Sequence, residues 1–153
     1  MISIQNTRFG NVNFDDSSVI NFPNGIIGFP NETQFVLLER DGGGTIAFLQ
    51  SLNTPALALP VMDANSFGNE YPNPNPADLA KSAGIGGGDV VTLVVVAAHE
   101  DDPCLSANLL APIVVDANTK NAAQVVLDPR RYSAWYPMTT MRTTSEANAI
   151  ANG

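Results

Sequence analysis

The chain contains one cysteine, Cys104, one histidine, His99, and one tryptophan, Trp135. A single cysteine excludes an internal disulfide and any site built from several thiolates. A single histidine excludes the His-rich sets that hold catalytic zinc. Basic residues are also scarce: seven Lys and Arg stand against fifteen Asp and Glu, a formal net charge of −8 at pH 7. Phosphate backbones are bound by clustered Lys and Arg, and here only Arg130 and Arg131 are adjacent, which argues against direct nucleic-acid binding. An acidic body instead attracts basic proteins, although excess acid also serves simply to keep a protein soluble. Long hydrophobic runs are missing too. The longest nearly uninterrupted one, 90–98, is far too short to span a bilayer. The N-terminus "MISIQNTRFGN" alternates apolar and polar residues instead of placing a basic region before an apolar block, so no signal peptide is expected and the expected location is the cytoplasm.

What is present is a pattern of short runs of Val, Ile and Phe separated by turn residues, the mark of an all-β fold. With 153 residues and 44% apolar content the chain suits one domain with an unstapled core. Strands are expected at 2–7, 11–14, 19–22, 35–40, 45–50, 57–62, 90–98, 105–110, 113–115 and 123–127. Two hairpin turns stand out, at "DGGG" (41–44) and "DANTK" (116–120), the first rich in glycines able to take positive φ. The stretch 105–127, "LSANLLAPIVVDANTKNAAQVVL", reads as a hairpin whose Leu109, Ile113, Val114, Val115, Val125 and Leu127 supply core. One helix of roughly two turns is expected at "NPNPADLAKSAG", with Asn75 as its cap, Pro76 at the first helical position and Gly84 ending it. "FPNGIIGFPN" (22–31) reads as a compact loop with its aromatics turned inward. The segment after Met138 lacks β alternation and is expected to form a frayed tail with some helix.

Reactive groups are few and badly placed. "AGIGGGDVV" has the glycines of a phosphate loop, but it follows a helix and opens a strand, the reverse of the dinucleotide-binding order. A flexible connection accounts for it better. "HEDDPC" (99–104) holds one imidazole, three carboxylates and a thiol, yet consecutive residues of an extended chain point in alternating directions. A solvated acidic turn between two strands is the simpler reading, and Cys104 reads as a small buried hydrophobe. No pair among the fifteen acids is singled out for acid/base work. A chain rich in strands and poor in reactive groups binds more readily than it transforms, and strand edges and apolar patches are natural docking surfaces.

Three phrases, in order, give the chain a resemblance. "FGNVNFDDSSVINFPNGIIGFPNETQFVLLER" resembles the N-terminal part of the FliW flagellar assembly factors, with its phrase F-P-x-G-I-x-G-F followed by F-V-L-L. "FLQSLNTPALALPVMD" and "SANLLAPIVVDANTKNAAQVVLDPRRYS" are similar to that family's second and third phrases, and together they cover residues 4–137. The resemblance implies an antiparallel β-barrel-like domain over 1–137 with one short helix, a flexible tail over 138–153, no catalysis and no cofactor. It further implies two protein partners, flagellin and the RNA-binding translational regulator CsrA, with flagellin displacing CsrA. Candidate contacts for a basic partner are Glu70 and the acidic turn Glu100, Asp101 and Asp102. Gln50, Ser51 and Asn108 are polar positions inside apolar phrases, suited either to a partner or to satisfying buried backbone groups. Two alternatives stay open: a flagellin chaperone without CsrA, and a metal-assisted hydrolase using the His99 to Asp102 cluster.

Overall fold

The computed structural model describes residues 1–39, 45–70, 75–86, 88–99 and 102–138, with the backbone alone for 68–70, 98–99 and 102–104. β1 (Ile2–Thr7) and β2 (Gly10–Phe14) form a separate antiparallel hairpin. Its tip is fastened to the body. The Arg8 Nη1 group donates to the Ala58 carbonyl at 3.3 Å, and the Phe9 and Phe48 rings meet at 4.9 Å. The Arg8 guanidinium lies 5.7 Å from each of those ring centroids, where a cation over an aromatic face gains about 0.5–1 kcal/mol.

The body is a single antiparallel ladder. It is built from β3 (Ile20–Asn21), β4 (Gln34–Leu38), β5 (Ile46–Ser51), β6 (Ala58–Asp63), β7 (Val90–His99), β9 (Ile113–Asp116) and β10 (Ala122–Gln124), in the spatial order β10, β9, β7, β6, β5, β4, β3. β8 (Asp102–Ala107) pairs with β7 and with β11 (Tyr136–Pro137). The sheet curls towards a barrel without closing. Among the described residues, β3 and the start of β10 meet through one parallel bridge, Asn21 to Asn121, beside an Asn21 N–H bond to the Lys120 carbonyl of 2.8 Å.

The expected hairpin over 105–127 divides differently. β9 and β10 are its true arms, whereas β8 pairs with the C-terminal half of β7 and β9 with the N-terminal half, as Val96 opposite Ala107 and Leu93 opposite Ile113 show. Asn108 is the reason. Its Oδ1 accepts the N–H groups of Leu110 and Ala111, both at 3.1 Å, and this side-chain cap replaces ladder bonds. β8 therefore stops at Ala107 instead of running to Leu110.

β7 is a nearly continuous apolar run because both of its faces are covered. Leu93 joins one core with Phe22, Phe35, Leu49, Val61 and Ile113, while Val94 and Val96 join a second with Met62, Phe67, Leu105 and Tyr132. Phe22 and Phe35 pack edge to face at 5.3 Å. Val114 is fully buried, but Val125 is only half-buried and belongs to neither core, which corrects the expectation for the second arm. Past Gln124 the chain bonds instead to the irregular 110–112 segment. In β6, Pro60 faces Phe48 of β5, and pairing with β7 begins only at Val61, so its missing N–H falls where no second ladder needs it.

The helix α1 (Pro76–Ser82) forms as read from the sequence: the Asn75 side chain accepts from the Ala77 N–H at 2.9 Å, and Gly84 takes φ 74 just beyond the end. Leu79 and Ala80 are its buried residues. Two short 3-10 turns, Asp16–Ser18 and Ala64–Glu70, were not legible as elements. The glycine run has a packing role. An ideal Cβ on Gly86 would overlap the Asp116 carboxylate, and one on Gly88 would lie 3.3 Å from Asn118 Nδ2, so small residues let this segment lie against the β9–β10 turn. The "DGGG" turn and the segment after Met138 lie outside the described residues.

Candidate functional site

The three sequence phrases meet at one end of the ladder. β3 enters the 22–33 loop and β4 leaves it, β5 ends in the 52–57 loop, and β8 ends in the 108–112 loop beside the continuation of β10. Phe35 opposite Ser51 aligns the first two loops, and the Val125 and Leu127 N–H groups bond to the Pro112 and Leu110 carbonyls at 2.9 and 2.7 Å.

Polar side chains tie these loops to one another. Ser51 Oγ donates to Glu32 Oε2 at 2.6 Å and accepts the N–H groups of Asn53 and Thr54 at 3.1 and 3.0 Å. Thr54 Oγ1 bonds to the other oxygen of Glu32. One carboxylate thus joins the first phrase to the second. Gln50 Nε2 donates to the carbonyls of Ser51, Pro55 and Leu57 at 3.0 to 3.2 Å, holding the 52–57 loop from inside. Gln124 joins the first phrase to the third: its Oε1 accepts the Ile27 N–H at 2.9 Å and its Nε2 donates to the Ala111 carbonyl at 3.0 Å. Gly25, at φ 69, passes against the Phe29 and Pro30 carbonyls, where any Cβ would overlap.

Gln50 and Ser51 are both fully buried and Asn108 is half-buried. Their observed bonds all go to the protein's own loops. Sequence reasoning missed Glu32 and Gln124, which do the joining; the available signal was a lone Gln inside "AAQVV" and an acid closing "FPNE".

Beside exposed Asn24, Asn31, Asn53 and Thr54, this end shows three large apolar side chains to solvent. Ile27 is 58% exposed, Phe29 42% and Val126 62%. Phe22 turns inward as expected, but Phe29 does not, because Ile26 takes the buried place and Phe29 closes the loop by bridging back to Ile26. Beyond Val126 the chain turns at Asp128, which accepts from Arg130 Nε at 3.1 Å and from Nη2 at 3.1 Å. That side-chain bond, then the Arg130 N–H bond, hold the Asp128 carboxyl below the usual carboxylate range, with a further contribution from the Arg131 charge.

Two of the four acidic candidates, Glu70 and Asp102, have a described backbone. Asp102 opens β8 opposite His99, while Asn108 follows its far end, a strand length of roughly 20 Å. Glu100 and Asp101 fall outside the described residues, and Glu70 closes the 3-10 turn Ala64–Glu70. Asp15, Glu39, Asp63, Asp78 and Asp89 are exposed, so negative charge is spread over the described surface. Among the described residues no group of three or more His, Cys, Asp or Glu is arranged to hold a metal ion. No helix among them is long and apolar enough to cross a membrane.

Comparison with known proteins matches the same phrases. The family described as FliW protein matches residues 3–138. A flagellar assembly factor FliW of Heliobacterium modesticaldum is 37% identical over 153 residues, covering 98% of this chain and 99% of its own. A flagellar assembly factor FliW 2 of Desulfotalea psychrophila is 30% identical, covering 94% and 95%. The fold superposes on a crystal structure of the flagellar assembly factor FliW with a TM-score of 0.75 and 28% identity, over 93% of this chain and 98% of that one. With the whole ladder and all three phrases inside the matched region, this chain belongs to the FliW family of flagellar assembly factors.

Proposed function

We propose that the protein is a non-enzymatic, cytoplasmic partner switch that binds flagellin and antagonises CsrA, coupling the amount of flagellin to its translation. The functional domain of this reading spans 1–137. The observation that carries the reading is the apolar end. Ile27, Phe29 and Val126 stand exposed on loops that Glu32, Ser51 and Gln124 hold rigid. Rigid apolar surface suits a monomeric subunit whose amphipathic segments are otherwise covered only in its polymer. Gln50, Ser51 and Asn108 serve that surface by shaping the loops. The acidic turn Glu100 to Asp102, with Glu70, meets the basic, RNA-binding partner.

Calorimetric titration with monomeric flagellin tests the apolar end. An Ile27→Asp, Val126→Asp variant should fold normally by circular dichroism, since both side chains are exposed, and lose at least about ten-fold in flagellin affinity, a loss of about 1.4 kcal/mol. Parent affinity should change little between low and moderate salt. Full affinity in the variant, or a steep loss with salt, places the contact elsewhere. Charge reversal at Asp101 and Asp102 should weaken CsrA alone.

A further inference from the structure

At the opposite end of the ladder from the apolar loops, the unclosed seam between β3 and the β9–β10 turn holds a cavity of about 500 Å³. Its floor is aliphatic. Ile20, Leu37, Leu93 and Val115 come from four strands, and all four belong to or pack against the first core. Val91, 36% exposed, forms one wall. The rim is polar, with the Ser17 and Ser18 side chains on one side and Asn118 and Lys120 on the other. A second hollow shares Ser17, Asn118 and Lys120, so this rim separates two openings.

Lys120 is the unusual member. It holds φ 63, a left-handed conformation that costs a side-chain-bearing residue about 1–2 kcal/mol and that Gly or Asn would adopt more readily. Its backbone is committed to the fold, because its N–H bonds to the Asp116 carbonyl and its carbonyl receives the Asn21 N–H, both at 2.8 Å. Its ammonium is not: among the described residues no carboxylate lies within ion-pair reach of it. Asp16, on the neighbouring hollow, faces the Met1 amino group at 3.5 Å instead. Asp116 turns its Oδ1 to the Asn118 and Thr119 N–H groups.

We propose that this cavity is a binding site for a small amphiphilic monocarboxylate, with an aliphatic chain on the Ile20, Leu37, Leu93 and Val115 floor and the carboxylate on Lys120. The volume falls in the range of about 300–1,000 Å³ typical of small-molecule pockets, which are largely apolar with a few placed polar groups. Aliphatic lining favours a flexible chain, and a single cation on a body of net charge −8 favours one negative charge over the two or more of a phosphate ester. Ser18 and Asn118 supply uncharged hydrogen-bonding groups around the carboxylate, whereas the Ser17 hydroxyl donates to Asp15 Oδ1 at 3.2 Å.

Sodium octanoate is the probe, with octanol and acetate as comparators, each titrated into isotopically labelled protein and followed by amide and methyl NMR shifts. Octanoate should bind saturably, with shifts centred on Ser17, Val91, Val115 and Lys120, and more tightly than either comparator. Lys120→Gly removes the ammonium while suiting φ 63, so it should keep the fold and lose about ten-fold or more in octanoate affinity without changing that of octanol. Val91→Phe should obstruct both ligands. The proposal is overturned if octanoate does not bind, if its shifts centre away from the seam, if octanol binds the parent as tightly, or if folded Lys120→Gly binds octanoate unchanged. Mapping on the parent alone decides the location should a variant fail to fold.

Discussion

Single residues at the apolar end act by excluding alternatives to one loop shape. Gly25 combines φ 69 with carbonyls of Phe29 and Pro30 where a Cβ would sit. Gly25→Ala should therefore destabilise the protein by about 1–3 kcal/mol from backbone strain, with the overlap adding to it, read as a lower urea midpoint. An unchanged midpoint would mean the loop relaxes freely. Glu32 acts differently, as an acceptor for two hydroxyls from another phrase. Asp128 sets the turn beyond Val126, and its lowered pKa has a signed consequence. A carboxylate depressed in the folded state contributes stability above its unfolded pKa and loses it as pH falls through the lower folded value. The turn should thus hold at neutral pH and loosen only in strong acid. By carbon-detected NMR, the Asp128 carboxyl should titrate below an ordinary aspartate, and Arg130→Ala should bring it back up. An unmoved midpoint in that variant would remove Arg130 as the cause.

At the scale of elements, the strands were legible because branched and aromatic side chains recur between Gly, Pro and Asn punctuation, and α1 because Asn75, Pro76 and Gly84 mark both of its ends. Pairing was less legible. β8 and β9 look like consecutive arms of one hairpin, yet each takes half of β7, since a side-chain cap from Asn108 competes with the ladder. The 3-10 turn Ala64–Glu70 carries no apolar period to announce it. Assembly of the apolar end was illegible for a different reason: Glu32 to Ser51 and Gln124 to Ile27 are bonds between positions 19 and 97 residues apart, and only topology brings them together. The arms of the β9–β10 hairpin also differ in depth. Val114→Asp would place an unpaired charge at a site with 0% exposure and should abolish folding, at a cost of about 4 kcal/mol or more. Val125→Asp, half-buried beside the Pro112 carbonyl, should leave a folded domain weakened by about 1–3 kcal/mol. Thermal unfolding by circular dichroism ranks the two, and equal losses would contradict the assignment of depth.

For the molecule as a whole, the proposed switch has a structural condition to meet. Asp102, at the start of β8, lies a strand length from Asn108 beyond the other end of that strand, so antagonism between partners arises either from their bulk overlapping across β8 or from a shift of the ladder between two arrangements. Either way the binding free energies are linked, and what flagellin does to CsrA affinity, CsrA must do equally to flagellin affinity. The decisive measurement is a reciprocal competition: the affinity for CsrA is determined with and without saturating monomeric flagellin, and the affinity for flagellin with and without saturating CsrA. The account predicts that each partner weakens the other by the same factor, at least about five-fold for a coupling near 1 kcal/mol. Independent binding, with a stable complex of all three proteins and unchanged affinities, would contradict it.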